Sequence, residues 1–258
     1  MSPELRKRST ATFAIFTLAM VVAFVGLGIW QLQRRVDKHA LIAALTERLA
    51  AEPAALPDAS QWRALNPARD EFRRVRFTAS YEPAPDAMVY SSGSAVREDV
   101  SGPGTWAFMP ARLPGGETVV INTGFVANTM LDRAQEDRAV KPLVSGAQVI
   151  LTGYLRFPEA AGALTPAEDA KKRLWFTRDH LVMARVLGWG DVAPFYVDLE
   201  SPVPDSSVPK PGPLTVHLKD DHLQYAITWF GLAGAVVIAF LVWIRAQRRR
   251  QAAQPAPG

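Results

Sequence analysis

The 258-residue chain has no cysteine. That excludes disulfides, thiolate zinc clusters, Cys-x-x-Cys redox motifs and a thiol nucleophile. The motifs that mark common catalytic folds are missing too: no G-x-S-x-G elbow, no H-E-x-x-H, no Walker loop and no G-x-G-x-x-G. The carboxylate pairs Asp70-Glu71 and Glu98-Asp99 lie in polar surroundings and read as solvated faces, not as acid–base dyads. No catalytic residue stands out, and the chain does not read as an enzyme. Positive charge is scarce where a nucleic-acid groove would need it. The net charge is +4, but residues 1–10 hold +2 and residues 245–258 hold +4, so the body between them is slightly acidic. Phosphate binding requires the opposite arrangement, and no nucleic-acid partner is expected.

Two stretches lack charge altogether. Residues 11–30 (ATFAIFTLAMVVAFVGLGIW) and 225–244 (YAITWFGLAGAVVIAFLVWI) each run twenty positions without a charged side chain. At a helical rise of 1.5 Å per residue, each covers roughly 30 Å, the hydrocarbon thickness of a bilayer. The first is too long for a signal-peptide core, and QLQRR follows it where a small-x-small cleavage site would stand, so it reads as an uncleaved anchor. Short basic tails stay cytoplasmic, whereas a segment as long as 31–224 translocates largely regardless of charge. The expected organisation is a cytoplasmic tail (1–10), a first transmembrane helix (11–30), a periplasmic domain (31–224), a second transmembrane helix (225–244) and a cytoplasmic tail (245–258). Trp30 and Tyr225 then meet the same outer interface as aromatic belt residues.

The middle of the chain is rich in turns and mostly of period two. VRFTASY (75–81) alternates as a half-buried strand. TWAFMPARL (105–113) and ETVVINTGFV (117–126) flank Pro114-Gly115-Gly116 and predict a hairpin. QVILTGYLRF (148–157) and PFYVDLES (194–201) are further strands. Helical spacing over 30–52 continues the first membrane helix outward. Asp179 is placed to cap HLVMARVLG (180–188), with Leu181, Met183, Ala184 and Leu187 on the buried face. PVPDSSVPKPGP (202–213) reads as a connector. The fold class is an integral membrane protein, two antiparallel transmembrane helices flanking a mainly antiparallel-β (α+β) periplasmic domain, a sheet or small barrel.

Four histidines remain. His39 and His180 read as surface residues, and His217 falls in a strand or linker. His222 lies three residues before the second span, and helical spacing puts it on one face with Tyr225 and Trp229. An imidazole beside two aromatic rings at the hydrocarbon edge suits a metal held in a flat apolar cofactor such as haem. It equally suits an interfacial histidine bonded to headgroups or to Asp220 or Asp221. Gly231, Ala233, Gly234 and Ala235, opposite Gly26 and Gly28, allow the spans to approach closely or leave a slot for a planar ligand.

The two junctions together resemble the surfeit locus protein 1 family of cytochrome c oxidase assembly factors. LGIWQLQRRVDKHALI (27–42) matches the family's Gly-x-Trp-Gln-x-x-Arg-x-x-x-Lys exit from the first span through Gly28, Trp30, Gln31, Arg34 and Lys38. DHLQYAITWFGLA (221–233) matches its second junction through His222, Tyr225, Thr228 and Trp229. INTGFV, GYLRFPE, WFTRDHLVMARVLG and PFYVDLE follow in family order, although Thr123 and Phe125 stand where the family's Arg and Trp are expected, and Asp221 where Asn is commoner. The resemblance implies a bacterial, plasma-membrane (cell inner membrane) assembly factor. It would take haem a from haem a synthase and deliver it to cytochrome c oxidase subunit I, with the bilayer as its setting. It also implies His222 as ligand of the haem iron, Trp30, Tyr225 and Trp229 as packing for the macrocycle, and Arg34 as a propionate partner. The alternatives are a cofactor-free scaffold that holds subunit I, and, from a different class, a two-span sensor, which tails of ten and fourteen residues are too short to serve.

Overall fold

In the computed structural model, which describes residues 3–94, 96–97, 99–127, 140–215 and 220–252, the chain forms two compact units. One comprises Met1–Ala43 with Leu218–Gly258, and the other is Ala44–His217.

Alternation in the middle of the chain becomes a closed barrel. The strands are β1 (Ala54–Ala55), β2 (Arg74–Tyr81), β3 (Ala87–Ser91), β4 (Gly104–Arg112), β5 (Thr118–Ala127), β6 (Val149–Arg156), β7 (Leu174–Trp175) and β8 (Val192–Ser201). They lie in the order β1-β2-β6-β8-β5-β4-β3-β7. Two residues of β2, Ser80 and Tyr81, also pair with Arg112 and Ala111 of β4 and so join β2 back to the sheet. The ring β2-β4-β5-β8-β6 is a five-stranded Greek-key barrel with the strand order of the OB type. The pairing is mixed, not wholly antiparallel: β5–β8, β1–β2 and β3–β7 run parallel. The parallel β5–β8 contact arises because the segment between them also contains β6, which must cross over before β8 can return.

Inward positions two or four apart fill the barrel: Val75 and Ala79 from β2, Met109 and Ala111 from β4, Val119 and Ile121 from β5, Leu151 and Leu155 from β6, and Phe195, Val197 and Leu199 from β8. The outer face of β4, β5 and β8 is buried as well. Val89, Trp106, Phe108, Val120, Phe125 and Tyr196 pack there with Trp175, Met183 and Trp189. Two buried faces explain why β4 and β5 show almost continuous burial.

A bulge changes the parity of β5. Ala107 faces Gly124 and Phe108 faces Asn122, so Thr123 is the extra residue. Its hydroxyl donates to the Ala107 carbonyl at 2.9 Å. Beyond the bulge Phe125 points outward onto Trp106, their ring centroids 5.3 Å apart.

Helices are few among the described residues of this unit. A 3-10 turn spans Ala59–Ala64, and a single turn, α2 (Pro67–Asp70), is capped by Asn66. Helix α3 is His180–Leu187, and Asp179 caps it by accepting from the Leu181 and Val182 amides at 3.1 and 3.2 Å. Gly188 ends it in the left-handed conformation at φ 72°. Leu181 is not on the buried face: it is 36% exposed, while His180, Met183 and Ala184 face the core.

The other unit is helical. The first helix, α1 (Pro3–Ala50), carries residues 30–50 as one continuous extension, and α4 (His222–Ala252) is the last element. Both are long and apolar enough to cross a membrane, and only 11% and 6% of their most apolar windows are buried. Core helices of a soluble protein would be covered.

Candidate functional site

Helix α1 and helix α4 run antiparallel, and their contacts fix the register. Phe13 meets Phe240 and Trp243, at centroid distances of 5.9 and 4.6 Å. Phe24 stacks on Trp229 at 5.6 Å and 28°. Gln31 meets His222. This register sets the two uncharged stretches side by side, with residues 30 and 225 level at one end.

Each helix presents a row of buried or half-buried residues in steps of four and three. On α1 the row is Thr10, Ala14, Thr17, Val21, Phe24, Gly28, Gln31, Arg35 and Lys38. On α4 it is His222, Ala226, Trp229, Ala233, Val236, Phe240, Trp243 and Gln247. A 3.5-residue period is the seam of left-handed coiled-coil packing. Gly28 is small for a reason: a Cβ there would sit 2.6 Å from the Phe230 ring.

At the end of the seam, polar groups replace apolar ones. The Gln31 side-chain oxygen accepts from Nδ1 of His222 at 2.7 Å, and Gln31 is only 9% exposed. A carbonyl oxygen has no proton to give, so Nδ1 carries the proton of this bond, and in the neutral ring Nε2 keeps the lone pair. Two residues before His222, Asp220 accepts the His222 backbone N–H at 3.1 Å through one carboxylate oxygen. Its other oxygen takes His39 Nε2 at 2.7 Å, with Arg35 at 3.7 Å. Burial works against the Asp220 carboxylate, but the His222 amide and the His39 ring outweigh it and hold the pKa below the usual range.

The sequence-predicted residues divide into two groups. His222 and Trp229 lie on the seam. Trp30, Arg34 and Tyr225 are exposed, each one residue before a seam position (Gln31, Arg35, Ala226). In an antiparallel pair, positions with the same offset from the seam fall on the same side of the hairpin. Trp30, Arg34 and Tyr225 therefore share one flank beside the Gln31–His222 bond, with Trp30 49% and Tyr225 56% exposed. Trp229 turns inward to Phe24 and does not join that flank.

Two features did not stand out in the sequence. The first is Gln31 as partner of His222, whose signal was its place in the junction motif. The second is a set of buried charges on the barrel. Arg156 binds Asp198 at 2.7 Å and Glu71 at 3.1 Å, and Asn122 donates to the other Asp198 oxygen at 2.6 Å. Arg97, 2% exposed, grips Asp99 and donates to the carbonyls of Lys210, Pro211 and Gly212. Asp70 is buried and Glu71 half-buried, both ion-paired and neither a solvated face, whereas Asp99 is exposed as expected while pairing with Arg97. Glu98 and His217 lie outside the described residues.

His180 is not a surface residue. It is fully buried, its Nε2 bonds the Ala193 carbonyl at 2.9 Å, and its ring lies 5.4 Å from Tyr196. Burial lowers its pKa to about 4. His39 is exposed as expected, and hydrogen-bonded to Asp220. Among the described residues no cluster of three or more His, Asp or Glu could hold a metal ion.

Two helices fit to cross a membrane, paired as a hairpin with a polar contact between Gln31 and His222, and a mixed β-barrel unit between them in the chain define a protein of two candidate spans flanking a β domain. The SURF1 family model matches residues 18–234, and the chain belongs to that family. It is 32% identical over 235 residues to human Surfeit locus protein 1, covering 86% of this chain and 73% of the human one. A SURF1-like protein of Monosiga brevicollis is 29% identical over 251 residues, covering 93% and 90%. The SURF1-like protein of Drosophila melanogaster is 31% identical over 250 residues, covering 93% and 79%.

Proposed function

We propose that the chain is a non-enzymatic assembly factor for cytochrome c oxidase that binds haem a at the junction of its two spans and passes it to subunit I. In this reading it receives the haem from haem a synthase in the plasma (cell inner) membrane. Both tails are cytoplasmic, and the β domain is periplasmic. The domain limits are those of the charge pattern, with spans at 11–30 and 225–244.

One observation carries the reading: the helix register sets a half-buried His222 at the end of both apolar stretches, beside an exposed flank of Trp30, Tyr225 and Arg34. The residues fit the cargo. In its neutral form the His222 imidazole has one nitrogen anchored and the other able to ligate iron. Trp30 and Tyr225 offer apolar faces to a macrocycle lying on the hairpin, with Trp229 in the floor behind them. Arg34, one turn from Trp30, suits a propionate. A carrier must release what it holds, and a single ligand on an open flank permits exchange where two ligands in a closed pocket would not.

The test is purification from cells that make haem a. The wild-type protein is expected to carry haem absorbance and His222→Ala to lose it. A wild-type preparation without haem, or absorbance that survives His222→Ala, would overturn the reading and leave a cofactor-free scaffold for subunit I.

A further inference from the structure

We infer that Gln31 is the positioning residue for the His222 ligand: its side-chain carbonyl selects the imidazole tautomer that exposes Nε2. This deepens the haem-binding reading and rests on it.

Imidazole binds a metal through an unprotonated nitrogen, and which nitrogen that is depends on the hydrogen bond made by the other. The residue opposite His222 in the hairpin supplies that bond. Gln31 stands at a seam position, 191 residues away in sequence, with its oxygen 2.7 Å from Nδ1. Its amide is nearly buried, where an unpaired carbonyl would be costly, so the bond is favoured from both sides. The backbone of His222 is held independently by the Asp220 carboxylate. The ring therefore has one anchor at Nδ1 and one at its own backbone, which leaves Nε2 as the atom presented to a ligand. A neutral acceptor suits a carrier. A carboxylate at this place would make the imidazole a stronger donor and the cargo harder to surrender.

The experiment uses the full chain in detergent, purified without haem and titrated with haem a, in four forms: wild type, His222→Ala, Gln31→Leu and Gln31→Glu. Gln31→Leu keeps the bulk and removes the acceptor. It is expected to weaken haem a affinity about 10- to 100-fold, the usual cost of losing such a partner. Gln31→Glu restores an acceptor and is expected to regain affinity, with a lower haem midpoint potential than wild type. Imidazole 15N spectra of the haem-free proteins read the tautomer directly, the His222 signals being those lost in His222→Ala. Wild type and Gln31→Glu should show Nδ1–H, and Gln31→Leu should lose that preference. Wild-type affinity in Gln31→Leu, or an Nε2–H ring in the wild type, overturns the role of Gln31 while leaving His222 as ligand. Haem binding that survives His222→Ala overturns the ligand reading, and this inference with it.

Discussion

Acidification should destabilise the β-rich unit well before its carboxylates titrate, because of His180. Its ring is fully buried against Tyr196, and burial lowers its pKa from 6.5 to about 4 despite the Ala193 carbonyl and Asp179, which act the other way. The folded ring is neutral through this window, whereas the unfolded chain takes up a proton below pH 6.5. Stability is therefore complete above about pH 6.5, falls as the pH drops, and stops falling from this cause near pH 4. At about 1.4 kcal/mol per pKa unit the loss is about 3 kcal/mol, a substantial part of a domain's usual margin. For a unit of this size that is a drop of about 6–12 °C in melting temperature. Thermal unfolding of the full chain in detergent, followed by near-ultraviolet circular dichroism between pH 8 and 4, measures it. His180→Gln supplies an N–H for Ala193 but no titrating group, so its curve should stay flatter across the window. Parallel curves for wild type and His180→Gln would refute the argument.

Two further outcomes follow from the barrel. Arg156→Met leaves Asp198 buried with Asn122 as its remaining side-chain partner, and should cost about 3–5 kcal/mol in denaturant unfolding, part of it regained in the Arg156→Met/Asp198→Leu double variant. Gly124→Ala puts a Cβ at φ +131° into the Lys210 backbone, and should cost about 2–4 kcal/mol with faster hydrogen exchange at the paired amides of Phe125 and Lys210.

What was legible in the sequence is what local period and charge can encode. Among the five long strands of the barrel, β2 declares itself by alternation and β4 and β5 by the Pro114-Gly115-Gly116 turn between them, and Asp179 stands out by its place before an amphipathic run. Alternation cannot report a bulge: the extra Thr123 reverses which side Phe125 faces, and ETVVINTGFV reads as one regular strand without it. Nor can it report a second covered face. His180 looks like a surface histidine beside Asp179 until β8 is laid along α3 and takes its ring nitrogen. The ion pairs of Arg156 with Asp198 and Arg74 with Glu200, and the hydrogen bonds that Arg97 donates to the 210–212 carbonyls, join residues far apart in the chain. Residue type alone makes each of these look like a solvated charge, since only the closed sheet brings its partner into reach.

The junction of the spans shows the same limit more sharply. His222, Tyr225 and Trp229 share a face only if the helix is considered alone. Against a partner helix the 3.5-residue seam takes His222 and Trp229 inward, and Tyr225, one residue before Ala226, is left on the flank. The antiparallel direction then decides what stands beside it. Residues one before a seam position on α1 fall on the same flank, and those are Trp30 and Arg34. Had the helices been parallel, the same offsets would have placed these residues on opposite sides of the pair. Trp30, Arg34 and Tyr225 of the junction motifs are thus brought to one flank, beside His222, by chain direction and seam period, neither of which a single helix contains. Gln31 belongs to the seam by that logic, which is why its signal in the sequence was only its position, and its chemistry appears once His222 lies across from it.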